Sequence, residues 1–146
     1  MTESLEMYLE TISVLHERSH IARVTDIANE LGVTKPSVHM ALHELEKRGF
    51  IEHENYGEVF LTAEGKVVSS AIRNRHEILT AFLRDVLKVN PETAEKDACR
   101  MEHIISEETL LKIAGFCQAQ GVDVLAEPAL IKVQAARPQN REDAKH

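Results

Sequence analysis

Residues 95–103 read Glu-Lys-Asp-Ala-Cys-Arg-Met-Glu-His, and four of those side chains can ligate a metal. At ~100° per residue on a helix, Cys99, Glu102 and His103 fall at i, i+3 and i+4, with Glu95 one turn earlier. All four project from about a third of the circumference. Thiolate, carboxylate and imidazole form a mixed donor set suited to Fe(II), Mn(II), Co(II), Ni(II) or Zn(II). One helix cannot enclose an ion, so further ligands must come from elsewhere. His76 is one such donor. It follows Ile72 by four residues and precedes Leu79 by three and Leu83 by seven, which puts an imidazole on an apolar face where it needs a partner. Singly, each residue has a plainer role as a satisfied core histidine, a solvated polar face or a small buried thiol. Their convergence on one surface points to metal.

The elements that must position these groups are mostly helical. Leu5, Tyr8, Leu9, Ile12 and Leu15 give residues 4–18 a helical stripe, with Met7 and Glu10 beside it. Thr25 or Asp26 is expected to cap a second helix, 26–32, closed by Gly32. Thr34 reads as an N-cap with Pro36 in the first turn of a third helix, which runs to about Lys47 with Val38, Ala41, Leu42 and Leu45 facing in. Residues 50–54 and 58–61 alternate as two strands around Asn55-Tyr56-Gly57, a hairpin. Helix, short helix, turn, helix, hairpin is the order of a winged helix-turn-helix. From Thr62 one long helix is expected to reach about Lys88, with Val67, Ala71, Ile72, Leu79, Phe82, Leu83 and Val86 buried. Asn90-Pro91 starts a helix over 91–104, Ser106 caps another over 107–120, and Gly121 stops it. Residues 122–134 are expected to add a short helix around Pro128, and 135–146 to form a disordered polar tail.

The fold class expected is therefore mainly α, with a winged helix-turn-helix DNA-binding domain over 1–62 and a helical metal-binding and dimerisation domain over 63–134. Composition sets the class around it: of 146 residues, 43% are apolar and 28% charged, with no Trp, so the core is aliphatic. No apolar run approaches the ~20 residues of a membrane span, and Met1 to Glu10 has no export-signal pattern. Two cysteines, Cys99 and Cys117, are too sparse for a disulfide scaffold, so a reducing cytoplasm is expected. Charge opposes a nucleic-acid partner at first sight. The net charge is −7, and residues 1–61 hold five Lys/Arg against eleven Asp/Glu.

A helix-turn-helix presents the start of its second helix to base edges in the major groove. Here that start is Thr34, Lys35, Pro36, Ser37, His39 and Met40. Hydroxyls and imidazole exchange hydrogen bonds with bases, while Pro36 and Met40 suit a thymine methyl. Arg23, Lys47, Arg48, His53 and the wing residue Tyr56 are the expected phosphate contacts.

Glu6-Met7-Tyr8-Leu9, the helix-turn-helix with Pro36, Arg75-His76 and Ala98-Cys99-Arg100-Met101-Glu102-His103 together resemble the diphtheria toxin repressor family of metal-dependent repressors. The resemblance covers about residues 4–120 and implies a metal-activated repressor, not an enzyme. It matches Met7, Cys99, Glu102 and His103 to the activating site of iron-type members. It matches His76 to a ligand of both branches and Glu10 to a ligand of the manganese type. Thr80 and Glu95 stand where the iron type has two further ancillary ligands, so that site is altered. The length is that of the manganese type, with iron-type primary ligands.

The resemblance implies Fe(II) or Mn(II) as cofactor, with Co(II), Ni(II) or Zn(II) able to bind in vitro. It also implies a homodimer on palindromic operator DNA whose half-sites lie ~34 Å apart or a multiple of that. Metal held by ligands of both domains would fix the spacing of the recognition helices. Full switching from ~1% to ~99% needs about 5.5 kcal/mol of differential affinity. The other reading is a winged-helix regulator that senses oxidation of Cys99 or a small organic effector. A hydrolase would need an open metal position beside a substrate cleft, and no substrate loop is legible.

Overall fold

Thr2 starts the first helix by accepting the amide N–H of Leu5 on its hydroxyl oxygen at 3.3 Å. The computed structural model describes residues 1–54 and 57–124; Tyr56, most of the short helix expected around Pro128 and the tail expected over 135–146 lie outside them. Among the described residues the chain divides at Ser69/Ser70 into two compact units.

The first unit holds α1 (Glu3–Ser19), α2 (Val24–Leu31), α3 (Lys35–Lys47), β1 (Ile51–His53), β2 (Val59–Leu61) and the opening turns of α4 (Ala63–Ala81). The α1 stripe is buried as its spacing predicts: Leu5, Tyr8, Leu9, Ile12 and Leu15 all face the core, joined by Ile27, Val38, Leu42 and Leu45. The capping of α2 differs from expectation. The helix begins at Val24 with Arg23 as N-cap, and Asp26 works from the third helical position. Its carboxylate reaches back to accept the Arg23 amide N–H at 3.1 Å.

β1 and β2 pair antiparallel, with Ile51 opposite Leu61 and His53 opposite Val59. A third segment joins them. Arg23 bridges Glu58, and the Val59 amide donates to the carbonyl of Ala22 at 2.8 Å. The Nε2–H of His16 donates to the Val59 carbonyl at 2.6 Å while its ring stacks on Phe60. The imidazole thus satisfies the strand edge where the Ala22–Arg23 segment stops. Thr62 caps α4: its hydroxyl donates to the Gly49 carbonyl at 2.6 Å and accepts the Gly65 amide at 3.1 Å. Gly65 must be glycine, because a Cβ there would run into the Phe50 carbonyl oxygen.

The second unit contains the rest of α4, a π-helical turn (Phe82–Val86), α5 (Pro91–Met101) and α6 (Glu107–Ala119). The expected single helix over 62–88 is interrupted. Regular α-helix stops at Ala81, the chain widens to an i→i+5 bond from the Leu87 amide to the Phe82 carbonyl, and Lys88 takes a left-handed φ of 60°. The apolar stripe is also displaced within the first-unit part of α4: Val67 is 39% exposed and Val68 only 2%. Val68 precedes Ile72 by four residues and so shares its face. The core of the second unit is Ile78, Leu79, Leu83, Ala94, Ala98, Leu110 and Ala114, with Phe82, Met101 and Ile105 packed on it. Asn90 and Ser106 cap α5 and α6 as expected. No helix among the described residues is long and apolar enough to cross a membrane.

Candidate metal centre and nucleic-acid interface

Ala94 and Ala98 lie fully buried on α5, and small side chains at that spacing let the helix approach its neighbours closely. The same helix carries Glu95, Cys99 and, as its C-cap, Glu102. Ending at Met101, three residues short of the expected boundary, α5 leaves His103 in the following turn.

The Glu102 carboxylate has no solvent exposure. One oxygen lies 2.8 Å from His76 Nδ1 and the other 3.1 Å from His103 Nε2. The second ring nitrogen of His76 lies 2.8 Å from a Glu95 oxygen. His76 is therefore clamped between two carboxylates of α5. Its pKa is raised from 6.5 to about 9, first by the close approach of the Glu102 carboxylate to Nδ1, against the opposing effect of burial, then by the charge of Glu102 and by Glu95. A buried carboxylate needs compensation, and here two imidazoles supply it.

The structure thus brings His76, Glu95, Glu102 and His103 together. Cys99 is exposed on α5 and is in no disulfide. Met7 is exposed on α1 and Glu10 half-buried, both in the first unit. Thr80, one turn beyond His76, buries a hydroxyl with no hydrogen-bond partner among the described residues. The buried Glu102 carboxylate meets His76 on one oxygen and His103 on the other, with exposed Glu95 on the far side of His76, and carboxylate and imidazole donors of this kind suit a divalent ion of the Mn–Zn series.

At the start of α3, Thr34, Lys35, Pro36, Ser37, His39 and Met40 are all exposed, Met40 by 76%. Thr34 has a structural task as well: its hydroxyl oxygen accepts the Ser37 amide at 3.3 Å and lies 2.9 Å from the Ser37 hydroxyl. Arg23 and Lys47 are exposed, whereas half-buried Arg48 is paired with Glu44 at 2.9 Å. Tyr56 lies outside the described residues. The residue that sequence reasoning missed is His16. A lone histidine at the end of an amphipathic helix gives no signal that it will bond a strand 43 positions away.

Residues 1–59 match the family described as iron dependent repressor, N-terminal DNA binding domain, and residues 62–123 match its metal binding and dimerisation domain. The transcriptional regulator MntR of Escherichia coli O6:H1 is 44% identical over 119 residues, covering 82% of this chain and 76% of that one. This chain belongs to the diphtheria toxin repressor family of metal-dependent transcriptional regulators. The HTH-type regulator MntR of Geobacillus thermodenitrificans is 34% identical over 138 residues, 94% of this chain and 97% of that one. Among solved structures, IdeR of T. acidophilum superposes with a TM-score of 0.70 at 24% identity and covers 82% of this chain. The manganese regulator SloR gives 0.68 at 24% identity and covers 81%. Both likenesses are of fold, and this chain spans 55% of each of those two chains. Family membership makes the chain a regulator and not an enzyme, with DNA and metal as its partners.

Proposed function

We propose that this member of the family is a cytoplasmic repressor, activated by Mn(II), that binds palindromic operator DNA as a homodimer and controls metal-uptake genes. Residues 1–62 act as the DNA-binding domain and 63–134 as the metal-binding and dimerisation domain. The observation that carries the metal reading is the fully buried Glu102 carboxylate between His76 and His103. Manganese is supported by the relatives named MntR. Fe(II) is the second reading, favoured by the sulfur donors Met7 and Cys99.

Glu102, His103 and His76 would hold the ion, with Cys99 and Glu95 from α5 and Met7 and Glu10 from α1 as the remaining ligands. The ion supplies positive charge and a fixed coordination geometry, and no bond is made or broken. Ligands drawn from both domains would make metal occupancy favour one arrangement of them, the one competent for DNA. The start of α3 reads base edges, and Arg23, Lys47 and Arg48 contact phosphates. Self-association is supported by apolar surface on the second unit, where Leu87 is 54% and Phe116 50% exposed, with Phe116 set edge-on to Phe82.

The deciding experiment is anaerobic binding to uptake-gene promoter DNA with Mn(II), Fe(II) or chelator, on the wild type and on Cys99→Glu. Affinity unchanged by chelation would refute metal activation. A preference for Mn(II) that Cys99→Glu leaves intact upholds manganese, and a preference for Fe(II) upholds the second reading.

A further inference from the structure

Three histidines outside the centre described above stand on the DNA-reading face. His39 and His43 are four residues apart on α3, which puts them on one side of the helix, and both are exposed. His53 belongs to β1, which packs against α3. Its ring centroid lies 6.4 Å from that of His39, with 31° between the planes.

We propose that His39, His43 and His53 form a second metal site, built from imidazole alone and taking Zn(II), Ni(II) or Cu(II), whose occupancy opposes operator binding. An i, i+4 histidine pair on a helix is a bidentate chelate for such ions. Two imidazoles on one tetrahedral ion, with nitrogens at about 2.0–2.1 Å, hold their ring centroids about 5 Å apart. In the structure the rings stand wider apart than that, so the site closes on the ion by rotation of the exposed His39 side chain, with His53 as the third nitrogen from a separate element. Imidazole donors suit zinc, nickel and copper, whereas manganese prefers oxygen, so this site and the Glu102 centre sort different ions.

Charge favours it. Residues 1–61 carry an excess of six acidic groups over basic ones. On α3 and β1, with Arg48 paired to Glu44, the acids Glu46, Glu52 and neighbouring Glu54 outnumber Lys35 and Lys47, so the field of this domain draws cations. Because His39 lies among the residues read as base contacts, an ion held there occupies the surface DNA must approach. The opposing effect therefore rests on the reading of α3 as the recognition helix, while the metal site itself does not.

The test has two arms. Ni(II) is titrated calorimetrically into the full-length protein and into His39→Gln/His43→Gln, both side chains being exposed groups whose exchange leaves the core intact. The wild type is expected to bind one equivalent more than the variant, or the same equivalent at least about tenfold more tightly. Identical isotherms would overturn the site. In the second arm, Ni(II) is added to Mn(II)-loaded protein on a duplex selected from random sequence by that same Mn(II)-loaded protein. Binding is expected to weaken at least about tenfold for wild type and to hold for His43→Gln, which lies farther along α3 than the base-reading residues. Loss of binding in both proteins alike would overturn the opposing role. Failure of Mn(II) alone to support selection would instead count against the activation reading.

Discussion

At the start of α3, the side chains read as DNA contacts stand in solvent, and among the described residues only Thr34 and Ser37 of these are hydrogen-bonded to each other. In the second unit the Glu102 carboxylate is wholly buried and each oxygen meets an imidazole. As a proposed DNA-reading surface, the first has to stay open to a large polyanion, and its side chains are exposed. As a proposed metal centre, the second has to exclude water around a small cation, and its side chains already face one another. A repressor needs both, and the contrast predicts that substitutions in the two regions fail differently.

The sharpest break of that contrast is Glu102→Gln. It keeps the shape but removes the charge that both imidazoles face, so Mn(II) affinity is expected to fall at least about 100-fold, read by calorimetry or by the EPR signal of free Mn(II). DNA contacts at α3 would be untouched, and metal-independent DNA binding should not change.

Next comes pH. His76 is held protonated by Glu102 and Glu95, with its pKa raised from 6.5 to about 9. A raised histidine pKa stabilises the folded apo-protein fully below 6.5, and that contribution is lost as pH climbs through about 9. The same proton must leave before His76 can ligate, so Mn(II) affinity should rise between those limits as apo stability falls. Parallel denaturant melts and metal titrations across the window check this. If affinity were flat there, His76 would not be a ligand.

Gly65→Ala tests the join between the hairpin and α4, because the added Cβ meets Phe50 backbone that cannot rotate away. A loss of about 2–3 kcal/mol in urea unfolding is expected, with the metal isotherm unchanged once folded. His16→Leu removes the donor to the Val59 carbonyl and should lose about 1–2 kcal/mol. Amide shifts confined to Gly57–Phe60 should accompany it, and His16→Gln should recover part of both. Thr34→Ala is the mildest, about 1 kcal/mol from a lost N-cap, and it should weaken DNA binding by fraying the first turn of α3.

Local chemistry carried much of this into the sequence. Thr34, Asn90 and Ser106 announce helix starts because an N-cap acts within three residues, and Gly32 and Gly121 announce ends because their φ is positive. Asp26 sits at the opposite end of the motif from the N-cap expected of it, since a carboxylate can cap from its own position or reach back from three residues in. The π-helical turn at Phe82–Val86 was not legible, because the apolar spacing there suits an α-helix equally well.

By itself the sequence determined which residues are able to ligate a metal and which helix carries Glu95, Cys99, Glu102 and His103, because spacing along one helix fixes direction. Only tertiary structure decided that His76 reaches both Glu95 and Glu102, and that His16 pins the wing. Those contacts join positions 19, 26 and 43 residues apart, and pairing at such separations depends on how elements pack, which no local periodicity encodes.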